Sequence, residues 1–284
     1  MATSIEAAQE IISNIAGLPT LPSVLGELLK MVADPQTSAR DITGIISRDP
    51  ALTSKVLKLV NSAFYALPQR VHSLQTAVSI LGFNSVRNVA VAASFLKIFP
   101  NREGFDAAGF WLHSLGAGVT CDVLVKDASG QDADAFVYGL LHDVGKIVMV
   151  QYLSGEAERV LNRVKQRKCL FHEAEQELLG YTHAELGSVL AREWRFPDQL
   201  HRAIRYHHEP GRAGSSIREA ALAHMGDLCA RAMQIGWAGD DRVPAVSPAA
   251  WEALALTESA MPQLMENVHN GMLSAEAFIE LTRG

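Results

Sequence analysis

The 284 residues include only three cysteines, Cys121, Cys169 and Cys229. They lie far apart, form no Cys-x-x-Cys pair and are odd in number. That pattern removes thiolate-rich zinc as an option and fits a reduced, cytoplasmic chain better than a disulfide scaffold. Positive charge is also scarce, with 25 Lys and Arg against 31 Asp and Glu and a net charge of -6. Phosphate contacts dominate general nucleic-acid affinity, so this balance argues against a nucleic-acid partner. The one basic run, Arg159, Arg163, Lys165, Arg167 and Lys168, has helical spacing and reads as a solvated helix face. Long apolar runs are missing too. The longest stretch found, Asn88 to Phe99, is too short to span a bilayer and is broken by Lys97. The opening MATSIEAAQE carries two glutamates and no basic region before an apolar core, so neither a signal peptide nor a membrane association is expected.

Strand signals are scarce as well: no sustained alternation is bounded by Asn-Gly or Asp-Gly turns. Helical periodicity takes its place, and hydrophobic residues at 48% with charged ones at 20% give a folded rather than a disordered balance. Val24, Leu25, Leu28, Leu29 and Val32 form one face between Pro22 and Pro35. Asp41 is expected to cap a segment carrying Ile42, Ile45 and Ile46. Asp49-Pro50 restarts a helix with Leu52, Val56, Leu59 and Val60 inward. Leu74 to Leu81 stops at Gly82, and Asn84 or Ser85 caps the next helix. Helix, Gly turn, helix could be a DNA reader, but only Arg87 and Lys97 would meet phosphates, so a packed hairpin is the better reading. The expected fold is all-α, a multi-helix bundle with an N-terminal helical subdomain over residues 1–103. The Pro100–Gly104 loop separates it from a second helical subdomain, 104–235, and residues 236–284 form a C-terminal extension.

Histidine is what the chain has in unusual distribution. Ten are present, and only His72 falls in the first hundred residues. In the segment from Val137 to Val148, the residues Val137, Leu140, Leu141, Val144 and Val148 repeat at helical spacing, which predicts a deeply packed helix. Burying His142 and Asp143 there is costly without strong partners. A metal ion would satisfy both; so would a salt-bridged, hydrogen-bonded pair. His113 shares a face with Gly116, Ala117 and Thr120, small neighbours that let an ion or a helix approach. Thr182-His183-Ala184-Glu185 has capping-box form, which puts His183 in a first turn, either inward or solvated. Pro197 opens a helix with Leu200, Ala203, Ile204 and then His207 inward and His208 at the edge of that face. His201 falls on the outer flank. Asp227 shares an alanine-rich inward face with Ile217 and Ala220.

These motifs together resemble the HDOD family, relatives of the HD and HD-GYP phosphohydrolases. The resemblance rests on His113, Leu-Leu-His142-Asp143-Val-Gly-Lys146, Thr-His183-Ala-Glu-Leu-Gly187 and Tyr-His207-His208-Glu-Pro. Leu18-Pro19-Thr20-Leu21-Pro22, Arg48-Asp49-Pro50-Ala51-Leu52 and Asn61-Ser62-Ala63-Phe64-Tyr65 resemble its N-terminal pattern, and the likeness spans roughly residues 15 to 230. It implies an HD-domain-like bundle in which His113, His142, Asp143 and Asp227 bind one divalent metal, while His183, His207 and His208 match histidines that extend the site to a dinuclear or larger one. Iron, manganese or nickel suits such a thiolate-free set better than zinc. Lys146 matches a basic residue that could face a phosphate-containing ligand, or it is a surface lysine.

One departure matters. Where HD-GYP relatives carry a Gly-Tyr-Pro loop after the His-His pair, this chain reads Glu209-Pro210-Gly211-Arg212-Ala213-Gly214, so cyclic di-GMP is not implied. HDOD proteins resemble regulatory modules more than enzymes. The expectation is a bacterial signal-transduction module acting through signalling proteins with a retained metal site; the alternative is an active metal-dependent phosphohydrolase or phosphodiesterase.

Overall fold

The computed structural model describes residues 3–18, 21–31, 37–61, 67, 69–95, 105–127, 132 and 134–272. Val32, Pro35, Ser62–Tyr65, Lys97 and the Pro100–Gly104 loop lie outside them. The described residues contain helices and no strand, as the all-α reading expected.

The chain divides into two compact units. One comprises Met1–Leu18 with Asn101–Val268, and the other Pro19–Pro100 with His269–Gly284. The first helix, α1 (Ser4–Asn14), opens on a capping box in which Thr3 and Glu6 exchange bonds. The second unit follows with α2 (Ser23–Lys30), α3 (Ala39–Ser47), α4 (Pro50–Val60), α5 (Leu74–Leu81) and α6 (Phe83–Phe95). Leu25, Leu28, Ile42, Ile46, Leu52, Val56 and Leu59 form its core. Ser38, rather than Asp41, caps α3; Asp41 is the third helical residue and completes the capping box by bonding back to Ser38. No residue of the Asn84-Ser85 pair caps α6, which starts directly at Phe83 after Gly82 takes a left-handed φ of 82°. Arg87 on that helix is fully buried, with its guanidinium donating to Asn88 Oδ1 at 2.9 Å.

The larger unit continues with α7 (Ala107–Asp127), α8 (Ala135–Leu141), α9 (Val144–Tyr152), α10 (Ser154–Arg167), α11 (Phe171–Leu179), α12 (His183–Glu193), α13 (Asp198–Tyr206), α14 (Ile217–Ala232), α15 (Pro248–Ala253) and most of α16 (Met261–Met272). Two 3-10 turns, Pro210–Arg212 and Gly214–Ser216, join α13 to α14. Helix α7 is a longer apolar segment than the one the sequence reading singled out. Its Ala107–Lys126 stretch has a mean hydropathy of 1.3 and would pass for a membrane span by composition, but 72% of it is buried within the protein. It is the central core helix, packed by α8 on one side and α14 on another.

Small residues set how close these helices come. A Cβ added to Gly139 of α8 would lie 2.6 Å from the Gly118 nitrogen of α7, and one on Gly226 of α14 would lie 2.7 Å from the Ala117 carbonyl oxygen. Only glycine lets both helices seat against α7 there. The same close packing brings α9 against α12 through Gly145 and Gly187. These contacts converge the ends of α8, α9, α12 and α13 and the body of α14 on one buried point.

Candidate metal centre

The helix expected to run unbroken through His142-Asp143 is interrupted at that pair. Helix α8 ends at Leu141 and α9 begins at Val144. The cause is local. The His142 ring turns back and its Nδ1 sits 2.7 Å from the Gly139 carbonyl, while Asp143 leaves helical geometry at φ -100°, ψ 10°. The Lys146 amide then closes a short turn onto the Asp143 carbonyl at 2.9 Å. The break carries the imidazole and the carboxylate off the helix wall and into the space between α7, α12 and α14.

The other side chains arrive from helix ends and faces. His113 comes from the middle of α7. His183 is the first residue of α12, held by the Thr182–Glu185 capping box, in which the Thr182 amide donates to Glu185 Oε2 at 2.8 Å. Helix α13 stops at Tyr206, so His207 and His208 stand in the turn beyond it rather than on the helix face expected for them. Asp227 projects from α14. His113, His142, Asp143, His183, His207 and Asp227 are each at most 1% exposed, and His208 is partly exposed.

Hydrogen bonding fixes which ring nitrogen faces inward. A carbonyl oxygen only accepts, so His142 Nδ1 must donate to Gly139 O, and His207 Nδ1 must donate to Ile204 O at 2.7 Å. His183 Nδ1 likewise donates to the Glu175 carboxylate at 2.6 Å. The Nε2 atoms of these rings therefore offer lone pairs to the centre in their neutral form. Asp143 Oδ1 lies 3.0 Å from His183 Nε2 and 3.7 Å from His207 Nε2; its Oδ2 lies 3.3 Å from His142 Nε2. Asp227 Oδ1 lies 3.1 Å from His113 Nε2 and 3.7 Å from His142 Nε2. With neutral rings, the Nε2 acceptors of His142, His183 and His207 thus face carboxylate acceptors. Asp143 Oδ1 and the Nε2 atoms of His113, His142 and His207 have no hydrogen-bond partner although they are buried. Leaving such groups unmet costs about 1–3 kcal/mol each, more when charged, and a shared cation removes the conflict. Three overlapping sets, His183-His207-His208, His113-His142-Asp227 and His142-Asp143-His207, each keep their donor atoms within 4.8 Å of one another.

Charge points the same way. Four buried carboxylates, Asp143, Glu175, Asp227 and Asp240, are matched by two buried cations, Lys146 and Arg231. With all imidazoles neutral, as metal ligation requires, the cluster keeps an excess of two negative charges, which one divalent ion cancels. Without an ion, the same excess pushes the His142 and His183 rings toward holding protons. Burial resists ionisation of Asp143, but His142, Lys146 and His183 beside it hold its carboxyl well below the usual range. Asp227 is held low in the same way, chiefly by Arg231. Burial drives His207 and His208 well below the ordinary imidazole value, reinforced by their neighbouring rings. Both rings are therefore neutral donors near pH 7.

The ring of residues supporting this centre was not anticipated. Glu175 is fully buried on α11 and grips His183 twice, accepting from its backbone amide at 3.0 Å as well as from Nδ1. Arg231 joins Asp227 (2.6 Å) to Asp240 (2.8 Å), and Asp240 in turn accepts from the Phe171 amide at 2.9 Å. His172 stacks on His208 with ring centroids 3.9 Å apart. The sequence did carry signals for two of these. Glu175 sits four residues after Phe171 and three before Leu178, on the apolar stripe of α11, and Arg231 follows Asp227 by four, the favoured acid-then-base order on a helix.

Two expectations change. His201 is not on a solvated flank: it is 5% exposed and its Nε2 lies 2.7 Å from Asp198 Oδ1, an i,i+3 pair that lets the ring fold down onto the helix. Lys146 is not at the surface. It is 2% exposed, and its Nζ donates to Asp143 Oδ2 at 2.6 Å and to the Ala238 carbonyl at 2.8 Å. A cleft of about 700 Å³ lies beside the centre, and its lining includes His172, His208, Arg205, Arg212, Glu185 and Ser4.

Comparison with known proteins bears on the family and the fold. The family model for the HDOD domain matches residues 18–210. An HDOD domain protein of unknown function from Geobacter sulfurreducens superposes with a TM-score of 0.80 at 23% identity, covering 95% of this chain and 98% of that one. A candidate phosphohydrolase from Shewanella amazonensis gives a TM-score of 0.75 at 25% identity, with 98% and 97% covered. A candidate signal transduction protein from Marinobacter aquaeolei gives 0.79 at 22%, with 99% of this chain and 65% of that one covered. The curated relatives it matches are longer, and the matched region spans 39% and 36% of their lengths. With helices and no strand among its described residues, and matched by the family model over most of its length, the chain belongs to the HDOD domain family.

Proposed function

We propose that this chain is a regulatory signalling module that holds a divalent cation around Asp143 and acts through protein partners rather than by turnover. The observation that carries the reading is the convergence of unpartnered, buried acceptors on one point, namely Asp143 Oδ1 with the Nε2 atoms of His142 and His207. When bound, the ion would supply the positive charge that lets these groups lie together. An all-nitrogen-and-oxygen set favours iron, manganese or nickel over structural zinc. Free, buried thiols at Cys121 and Cys229 suit a reducing cytoplasm, and the bacterial proteins it resembles suit a bacterial origin.

Absence of turnover is argued from access. A catalytic metal keeps an open coordination position for water or substrate. Here six of the seven candidate ligands are at most 1% exposed, and Lys146, the residue that could meet a phosphate, has its ammonium committed to Asp143 and Ala238. A phosphohydrolase reading is favoured by one observation, the near-full-length likeness at 25% identity to the Shewanella amazonensis protein described as a candidate phosphohydrolase. Metal-loaded protein assayed with a chromogenic phosphodiester and with phosphomonoesters separates the two. The module reading expects no metal-dependent hydrolysis. Turnover that needs the metal and disappears in Asp143→Asn would overturn it.

A further inference from the structure

Between α14 and α15 the chain runs as an irregular segment, residues 233–247. Among the described residues, 238–246 make no backbone-to-backbone hydrogen bond, and of their apolar side chains only Ala238 is buried. Chain held so lightly by its own bonds opens locally at low cost. Other contacts fix this segment, and each ends on a residue that supports the centre. Gly236, at φ 66°, abuts α7, where an added Cβ would overlap the Gly109 carbonyl oxygen and the His113 amide nitrogen. The Ala238 carbonyl accepts at 2.8 Å from Lys146 Nζ, the ammonium that sits on Asp143. Asp240 accepts at 2.8 Å from Arg231, the guanidinium that holds Asp227, and at 2.9 Å from the Phe171 amide. The Ser247 amide donates to His224 Nε2 at 3.0 Å. Nδ1 of that buried ring donates to the His207 carbonyl at 2.8 Å.

We infer that residues 236–247 form a strap that reports the filling of the centre: an ion bound around Asp143 holds the strap closed, and its loss lets the strap open. This rests on the reading of the pocket as a metal site and adds how the state of that site reaches the surface.

A ligand shifts such an equilibrium only through contacts that differ between the two states. The shared contacts here are Lys146 and Arg231, each divided between a carboxylate of the centre and an acceptor of the strap. Positive charge added around Asp143 weakens the pull of the centre's carboxylates on both cations and repels them through a weakly screened interior. Their hold on the strap strengthens in consequence, at the Ala238 carbonyl, at Asp240 and at the Arg242 carbonyl, 3.1 Å from Arg231. With the ion gone, the carboxylates draw both cations inward and the strap acceptors lose that share. Ligation of His207 adds a second route, because fixing His207 fixes the carbonyl that orients His224. Val243 and Val246 on the strap are 51% and 40% exposed, so opening changes the face the molecule presents.

Hydrogen–deuterium exchange of the full-length protein, with manganese(II) bound and after chelation, tests the coupling. Elemental analysis of the same samples gives the ion content. The Trp237, Arg242 and Ser247 amides, bonded to Gly109, Asp240 and His224, should exchange about 5-fold or more slowly with the ion bound. The amides of α10 should exchange alike in both. Coupling between sites is reciprocal. Ser247→Pro deletes the amide on His224 at a φ of -71° that proline accepts, so it should weaken manganese about 5-fold or more. Ser247→Ala keeps that amide and should bind as the wild type does. Equal exchange across 236–247 in loaded and stripped protein, or one uniform slowing everywhere, would overturn the strap and leave the metal reading standing. Equal affinity in the two Ser247 variants would do the same. Folded wild-type protein that takes up no manganese would overturn both. The exchange comparison is read on the wild type, so a variant that fails to fold does not remove the test.

Discussion

Replacing Gly145 with alanine probes the link between packing and site at its tightest point. Gly145 follows the His142-Asp143 break by two residues and abuts the first turns of α12. A Cβ there would lie 2.7 Å from the Gly187 nitrogen and would overlap the His183 carbonyl oxygen more deeply, whereas real Cβ atoms essentially never come within 3.0 Å of a neighbour. Both obstacles are backbone, so no side chain can swing away. Helices α9 and α12 must separate, and they carry Asp143 and His183, whose contact is 3.0 Å. Overpacking of a well-packed core costs about 1–3 kcal/mol, and a backbone clash belongs at the upper end. At about 2–4 °C per kcal/mol for a chain of this size, the melting temperature should fall by roughly 6–12 °C. Gly155, in the first turn of α10, has nothing within 4 Å of an added Cβ, so Gly155→Ala is the matched control and should leave the melt unchanged or slightly higher. Differential scanning calorimetry of both variants reads the effect, and metal content reads its consequence at the site. A Gly145→Ala protein that melts with the wild type and binds metal equally would refute the close approach as the device that builds the centre.

Three further outcomes follow from the same geometry. Glu175→Gln keeps the size of the residue but removes the charge on His183 Nδ1, so metal affinity measured by chelator competition should drop about 10–100-fold; unchanged affinity would mean that Glu175 only fills space. Arg231→Ala strands Asp227 and Asp240 as buried, uncompensated charges and should cost about 3–5 kcal/mol in urea unfolding, a loss that a smaller cost would contradict. In metal-free protein, burial works to lower the His142 pKa, but Asp143 and Asp227 more than reverse it and raise it from 6.5 to about 9. A folded-state value above the unfolded one means the imidazolium stabilises the fold fully below pH 6.5 and loses that contribution as pH rises through about 9. Melts of metal-free protein across that window should decline, and a rise would reverse the sign of the argument.

Much of this centre was legible because its residues announce themselves against their surroundings. His142 and Asp143 stand in an apolar run where a polar pair needs a reason, and the Thr182–Glu185 capping box puts His183 in the first turn of a helix from sequence alone, although not which way its ring faces. The interruption between α8 and α9 was hidden, since Val137, Leu140, Leu141, Val144 and Val148 keep helical spacing across it. Periodicity reports burial, not the single ring that turns back onto Gly139. Glu175 was missed for a different reason: two of the three glutamates of FHEAEQELL are solvated, and only its place on the stripe of Phe171 and Leu178 sets Glu175 apart from them. His201 was misjudged because an outward helical position can still be covered when a side chain pairs with Asp198 on its own helix. The two-unit division groups α1 with the later helices, a long-range association between segments separated by some eighty residues that no local pattern encodes.

The central claim is that unmet acceptors around Asp143 exist to hold an ion. Elemental analysis of the full-length chain, purified without chelator and then reconstituted anaerobically with iron, manganese or nickel, tests it most directly. The account expects at least one ion per chain, lost in Asp143→Asn. Wild-type protein that stays folded and metal-free after reconstitution would contradict it, and would leave the cluster as a buried hydrogen-bond and ion-pair network.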